Sequence, residues 1–331
     1  TDRFVNGDPS NDQRNQGGER RTFDLPLEPC DGVAGNIGYL GGDFRGIADN
    51  LDYIRGMGFS AVWITPVVDN PDEAFTGGET PGCGSILTDR GKTGYHGYWG
   101  VNFFEVDEHL PSPGTQFRDL ADAMHARDMN LVLDIVGNHG SPGWTMTAPQ
   151  PKFGKLYDRD GTLIADHQNL PPQQLDPEGN PLHAFYNDTG PVDAKHGSIF
   201  DGNLAQLADF DAGNPAVLEY LVDAYSHWID QGADAFRIDT IAWMPSSFWQ
   251  AFSERIVDVV ARRSDFSKPK TNTPRSTEAI ESFQRIKSYG TAGSGPQYFT
   301  VEHGNGSISY YGYTADSRIE KYGSSSVRLW Y

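Results

Sequence analysis

Cysteine is scarce: Cys30 and Cys83 are the two in 331 residues, and both lie in Gly- and Pro-rich stretches. They could pair in an oxidising compartment, which the loop context favours, or remain two unrelated thiols. No apolar run reaches the length of a membrane span, and Thr1-Asp2-Arg3-Phe4 does not read as a signal peptide. A leader ahead of residue 1 stays open. Basic residues are also short, with 26 Lys and Arg against 45 Asp and Glu and a net charge of −19. That balance repels a phosphate backbone or an anionic lipid surface, so no nucleic acid and no membrane is expected as partner. Neutral substrates and cations fit it, as does a merely solubilising role for the charge. What is abundant is glycine, 38 residues, and proline, 21, alongside 12% aromatics. Long ordered loops over a packed core follow from that mixture, as one large domain or two modest ones.

Along the chain a helix feeding a strand recurs. Residues 44–58 read as a helix, with Phe44, Ile47, Leu51 and Ile54 on one side and Gly58 closing it, followed by the buried run Ala61-Val62-Trp63-Ile64. Residues 115–128 read as helix before the apolar strand 131–136, which one acid, Asp134, interrupts. Residues 215–230 read as helix before 235–239. Alternating helix and buried strand predicts a parallel α/β sheet or barrel, and the polar residues at the C-terminal ends of the last two strands favour a (β/α)8 TIM barrel. An open doubly wound sheet is the alternative, but no Gly-rich phosphate loop follows any strand. Residues 140–213, rich in Pro, Gly, Asp and Asn, are too long for an ordinary connection and read as an inserted subdomain. Beyond 266 the composition turns to Ser, Gly and Tyr without helical periodicity.

Candidate chemistry sits at strand ends. Arg237 and Asp239, two apart, share one strand face, where the guanidinium keeps the carboxylate ionised, as a nucleophile toward an anomeric carbon requires. A buried ion pair holding two strands is the plain alternative. Asn138 and His139 follow Asp134 at the next strand end; Asn offers a carbonyl oxygen to a hard cation and His a donor to a sugar hydroxyl, although such pairs are commonly turn residues. Tyr95-His96-Gly97-Tyr98-Trp99 places aromatic faces suited to a pyranose beside a glycine that permits close backbone approach, or simply contributes core.

Taken in order, Tyr95-His96-Gly97-Tyr98-Trp99, Asp134-Ile135-Val136-Gly137-Asn138-His139, Leu207-Ala208-Asp209 and Phe236-Arg237-Ile238-Asp239-Thr240 resemble the motifs of the α-amylase superfamily, family 13 of the glycoside hydrolases. The resemblance implies a (β/α)8 barrel with an inserted domain B and retaining chemistry on α-1,4-glucosidic bonds of starch-like glucans, with transglycosylation as a variant. It implies Asp239 as nucleophile, Arg237 as its orienting partner, and His96, Tyr98, Trp99 and His139 as substrate-binding residues. It further implies a Ca2+ site at Asn138 and Asp209, completed by main-chain carbonyls near Ile199 and Trp243. The stretch Thr1 to Asp12 with Gly41-Gly42-Asp43-Phe44 is similar to the extra calcium loop of cyclodextrin glucanotransferases and related bacterial α-amylases. There Asn6, Asp8, Asn11, Asp12, Asp43 and the Gly41 carbonyl would hold a second Ca2+; without the resemblance this run reads as solvated turn.

Two departures accompany the resemblance. The general-acid glutamate has no counterpart in the window 261–270, and Glu278, Glu281 and Glu302 end no recognisable buried strand; Val301-Glu302-His303 is the nearest match. Ala242-Trp243 also stands where many α-amylases carry Lys-His, which bears on product size and on hydrolysis against transfer. The expected organisation is residues 1–139 as the first part of an incomplete barrel, 140–213 as domain B, 214–266 as barrel continuation, and 267–331 as an atypical tail foreign to the family. The expected protein is a secreted or periplasmic monomer acting on an α-glucan. A non-catalytic, sugar- and calcium-binding relative or fragment is the competing expectation.

Overall fold

The computed structural model describes residues 1–12, 38–78, 90–143, 146, 148–166, 168, 185–187 and 207–264, and the backbone of five strands within 285–329. Cys30, Cys83, Ile199, Glu278 and Glu281 lie outside the described residues. Two compact units are formed, Thr1–Val259 and Val260–Tyr331.

In the first unit, Asp43 caps α1 (Phe44–Asp49) by accepting the Gly46 amide at 2.6 Å. The single helix expected over 44–58 is instead two, α1 and α2 (Leu51–Gly56), because Asn50 leaves helical geometry between them and its side chain donates back to the Gly46 carbonyl. Gly58, at φ +94°, ends the segment as the sequence suggested. Strand β1 (Ala61–Ile64) follows, then β2 (Val68–Asp69) and β3 (Asn102–Val106). Helix α3 (Phe117–His125) is shorter than the expected 115–128: the Gln116 amide donates to Asp119 at its start, and its end tightens into turns closed by Asp128 at φ +53°. Strand β4 is Asn130–Val136, and β5 (His139–Pro142), β6 (Lys155–Tyr157), β7 (Leu163–Asp166) and β8 (Leu207–Asp209) follow. Helix α4 (Pro215–Asp230) and β9 (Ala235–Asp239) keep the bounds read from sequence, and α5 (Ser246–Ser264) comes next.

Strands β1, β4 and β9 form a parallel sheet in that order, with Trp63 opposite Val132, Asp134 opposite Arg237 and Val136 opposite Asp239. Because partners across a parallel ladder share a face, Trp63, Asp134, Arg237 and Asp239 line one side while Ile64, Leu133, Ile135 and Ile238 line the other. The apolar side packs into one core with Leu120 and Met124 of α3 and Leu221, Tyr225 and Trp228 of α4. Each large side chain buried there stabilises the fold by about 1.5–3 kcal/mol. Tyr225 ties helix to sheet: its hydroxyl accepts the Val136 amide at 2.9 Å and donates to the Val136 carbonyl. Strands β1 and β9 are not the fully buried strands expected. Trp63 is 57% exposed and β9 is half-buried, since among the described strands of this sheet β4 is the one flanked on both sides.

A second sheet, ordered β2-β3-β6-β7, joins strands from within 140–213 to strands that precede β4, and β5 pairs with β8. In the second unit, β10 (Arg285–Thr291), β11 (Gly295–Glu302) and β12 (Ile308–Tyr311) make an antiparallel meander, and β13 (Ile319–Tyr322) pairs with β14 (Ser326–Leu329). Glu302 closes β11 opposite Arg285 and Ile308.

Candidate active site

The polar face of the parallel sheet converges on Arg237. Its Nη1 donates to Asp239 Oδ1 at 2.6 Å and to both oxygens of Asp134 at 3.1 Å. Burial opposes the guanidinium charge, but the bonds to Asp134 and Asp239 outweigh it and hold Arg237 above its ordinary pKa. Asp134, its side chain fully buried, also accepts from the Tyr98 hydroxyl at 2.6 Å and from Trp63 Nε1 at 3.1 Å. Burial raises its pKa despite these donors. Asp239 keeps 23% of its side chain exposed, so of the two carboxylates it is the one that can meet a ligand. Asp134 and Trp63 thus position the pair. Sequence reading noted Asp134 as the lone acid of an apolar strand but did not make it a site residue. Trp63 was missed, and its signal was the period-two alternation that puts it on the Asp134 face.

Directly after Asp239, Thr240 adopts φ +50°, a left-handed conformation unusual for a β-branched residue. The strain coincides with the sharp exit from β9 that leaves the Asp239 carboxylate at the strand end.

The 95–99 segment folds back beside this pair. Gly97, at φ +84°, stands so close to the next loop that an added Cβ would lie 2.1 Å from the Pro66 carbonyl oxygen. The close approach anticipated for this glycine is therefore to backbone. His96 Nδ1 accepts the Tyr98 amide at 3.0 Å, and burial lowers its pKa to about 3. The ring is therefore neutral with its proton on Nε2, a fixed donor for a hydroxyl. His139, 2% exposed, is likewise held neutral by burial, its pKa lowered to about 4. Trp99 is 3% exposed and packs with Phe75 and Phe153, its ring perpendicular to His96 at 4.7 Å. It braces His96 from the core and presents no face to a sugar.

Asn138 Nδ2 donates to Asp209 Oδ1 at 2.8 Å and to the Trp243 carbonyl at 3.3 Å, while its Oδ1 meets His139 Nδ1 at 3.1 Å. Asp209 Oδ1 and the Trp243 carbonyl thus converge on one point. A 180° turn of the Asn138 amide places a third oxygen there, a donor set that suits a hard cation. The same turn makes Asn138 the donor to His139 Nδ1 and puts the imidazole proton on Nε2, which here is buried without a partner.

In the N-terminal loop, Asn6 Nδ2 donates to Asp12 Oδ1 at 2.7 Å, and Gly41, at φ +89°, lies against both side chains. Asn11 Oδ1 is buried without a hydrogen-bond donor, the state of an oxygen suited to a cation. The same fit is weaker at two further residues. Asp43 is engaged by the Gly7, Asp8 and Gly46 amides, and Asp8 accepts from the Ser10 hydroxyl and amide, which hold its pKa below the usual range.

A model of the α-amylase catalytic domain matches residues 1–312. The chain belongs to the α-amylase family. Its parallel sheet and covering helices are accordingly part of a (β/α)8 barrel. The match runs on past 266, through the β10–β12 meander. The cyclomaltodextrin glucanotransferase of Klebsiella oxytoca is 35% identical over 262 residues, 78% of this chain and 34% of the relative. The chain therefore spans about a third of the length of the curated relatives it matches. Among solved structures, the cyclomaltodextrin glucanotransferase CldA superposes with a TM-score of 0.58 at 31% identity, covering 78% of this chain and 46% of that one. An Anoxybacillus α-amylase gives 0.52 at 29% identity, covering 78% and 43%.

Proposed function

We propose that this chain carries the nucleophile half of a retaining hydrolase or transglycosylase acting on α-1,4-glucosidic bonds of starch-like glucans. The observation that supports it most is the 2.6 Å bond from Arg237 to the part-exposed Asp239 at a barrel strand end, with Asp134 bonded to Arg237 from the neighbouring strand. Asp239 attacks the anomeric carbon and the glycosidic oxygen departs; water or a second sugar hydroxyl then displaces the enzyme carboxylate, giving hydrolysis or transfer with retention. His96 and His139, neutral well below neutral pH, serve as hydroxyl donors, and Tyr98 offers its ring beside them.

The departing oxygen needs a proton. Asp134 does not supply it, because it is buried, shares the sheet face of the nucleophile and is occupied by three donors. The general acid belongs about 5–5.5 Å from the Asp239 carboxyl on the far side of the sugar. Calcium belongs in this reading at two places, Asn138, Asp209 and Trp243 O, and the Asn6, Asn11, Asp12 and Gly41 loop with Asp8 and Asp43 at its margin. Each ion would supply charge and cross-link loops, and no step of the chemistry passes through it. A polymeric substrate too large to enter a cell makes the protein secreted or periplasmic, and a monomer suffices for it.

The deciding assay follows reducing ends and cyclic products from soluble starch, comparing the chain with Asp239→Asn. A loss of about 10³-fold or more is expected; equal turnover would remove Asp239 from the mechanism. A chain that binds maltooligosaccharide with no turnover supports instead a non-catalytic sugar-binding relative.

A further inference from the structure

The turns after β2 and β3 bring Asp72, Glu108 and His109 together. A carboxylate oxygen from each acid and a ring nitrogen of His109 lie within 4.8 Å of one another. His109 is 2% exposed, and its ring is held at Nδ1 and stacked on one face. Asp107 Oδ1 takes Nδ1 at 2.8 Å, Tyr39 stacks on the imidazole with centroids 3.6 Å apart and planes 7° apart, and the Tyr39 hydroxyl donates to the other Asp107 oxygen at 2.8 Å. With Nδ1 so committed, Nε2 is the free ligand atom, and it is buried without a partner. Asp72 Oδ1 is buried and unpartnered as well. Lys152 sits 3.8 Å from the other Asp72 oxygen and spends its closest contact, 2.8 Å, on Asp69.

We propose that Asp72, Glu108 and His109 form a divalent-cation site, separate from the nucleophile and from both calcium positions suggested above. A carboxylate fixing the Nδ1 proton of an imidazole whose Nε2 is open is the arrangement that orients histidine toward a metal. An ion there satisfies the orphaned nitrogen and the orphaned Asp72 oxygen at once. The mixed nitrogen and oxygen set favours Zn2+ or Mn2+ over Ca2+, which takes oxygen ligands. The ion would tie the exit of β2 to the exit of β3, and Lys152 would stay on Asp69.

Titration calorimetry on the chelator-stripped chain with Zn2+, Mn2+ and Ca2+ in turn tests this. Glu108→Gln and His109→Gln should each bind one Zn2+ or Mn2+ fewer per chain, and Asp107→Asn should weaken that ion by about 10- to 100-fold. Asp209→Asn combined with Asp12→Asn should leave it in place, which separates this site from the proposed calcium positions. Unchanged stoichiometry in both Glu108→Gln and His109→Gln overturns the proposal. Should those variants not fold, pulsed electron paramagnetic resonance on the Mn2+-loaded wild-type chain decides: coupling to an imidazole nitrogen supports the site, and its absence overturns it. Glycosidase activity enters neither readout.

Discussion

Replacing Gly97 with alanine probes the turn that presents His96 and Tyr98. Two costs combine. A side chain at φ +84° brings a left-handed penalty of about 1–2 kcal/mol. The new methyl would also sit 2.1 Å from the Pro66 carbonyl oxygen, so the 95–99 turn must back away by well over ~1 Å to reach ordinary contact. Overpacking of that kind costs about 1–3 kcal/mol. The sum is about 2–5 kcal/mol. With an unfolding entropy near 2.1 cal/mol/K per residue, the Thr1–Val259 unit should lose roughly 4–10 °C in Tm. If the chain turns over starch, the same retreat moves the His96 and Tyr98 side chains from the sugar, and a displacement of that size costs about 10²-fold in rate. Differential scanning calorimetry and initial rates on soluble starch measure the two effects. An alanine variant within about 0.5 kcal/mol of wild type would refute the reasoning, because it would mean that the Pro66 loop and the turn do not constrain each other.

The remaining expectations concern protons, a buried hydroxyl and calcium. His139 titrates near 4 in the fold against 6.5 when exposed, so between those values the unfolded chain binds a proton that the folded chain does not. Stability therefore falls as pH drops below 6.5, by about 2 kcal/mol at pH 5, and urea titrations at pH 7 and pH 5 should show a smaller difference for His139→Gln. Tyr225→Phe removes the hydroxyl that bonds the buried Val136 amide and carbonyl, for a loss of about 1–3 kcal/mol in the same titration. Chelation should lower Tm and calcium should restore it. A matching insensitivity in Asp209→Asn with Asp12→Asn would locate the effect, whereas an unchanged wild-type Tm would count against both calcium positions.

Local pattern carried far in this chain. Helix α4 and strand β9 were legible to the residue, since Asn214 and Pro215 mark the helix start and a continuous apolar face runs to its end. The Arg237 and Asp239 pair was legible too, because period-two geometry puts both on one face. Asn50 was not read as a break: apolar spacing continues through it, and only its bond to the Gly46 carbonyl interrupts the helix. Trp99 looked like its neighbour Tyr98 in sequence, and packing against Phe75 and Phe153 separates their roles.

The sequence by itself determined which residue types could do the chemistry and the order in which they occur. Tertiary structure decided which of them meet. Trp63, Tyr98, Asp134, Arg237 and Asp239 come from four separate stretches of chain, and strand register alone sets Asp134 beside Arg237. Likewise, Asp72 and His109 have no sequence signature as partners. Antiparallel pairing of β2 with β3 leaves the two strand exits at opposite ends of the ladder, so their proximity depends on the turns beyond the strands, a long-range contact that no local periodicity encodes.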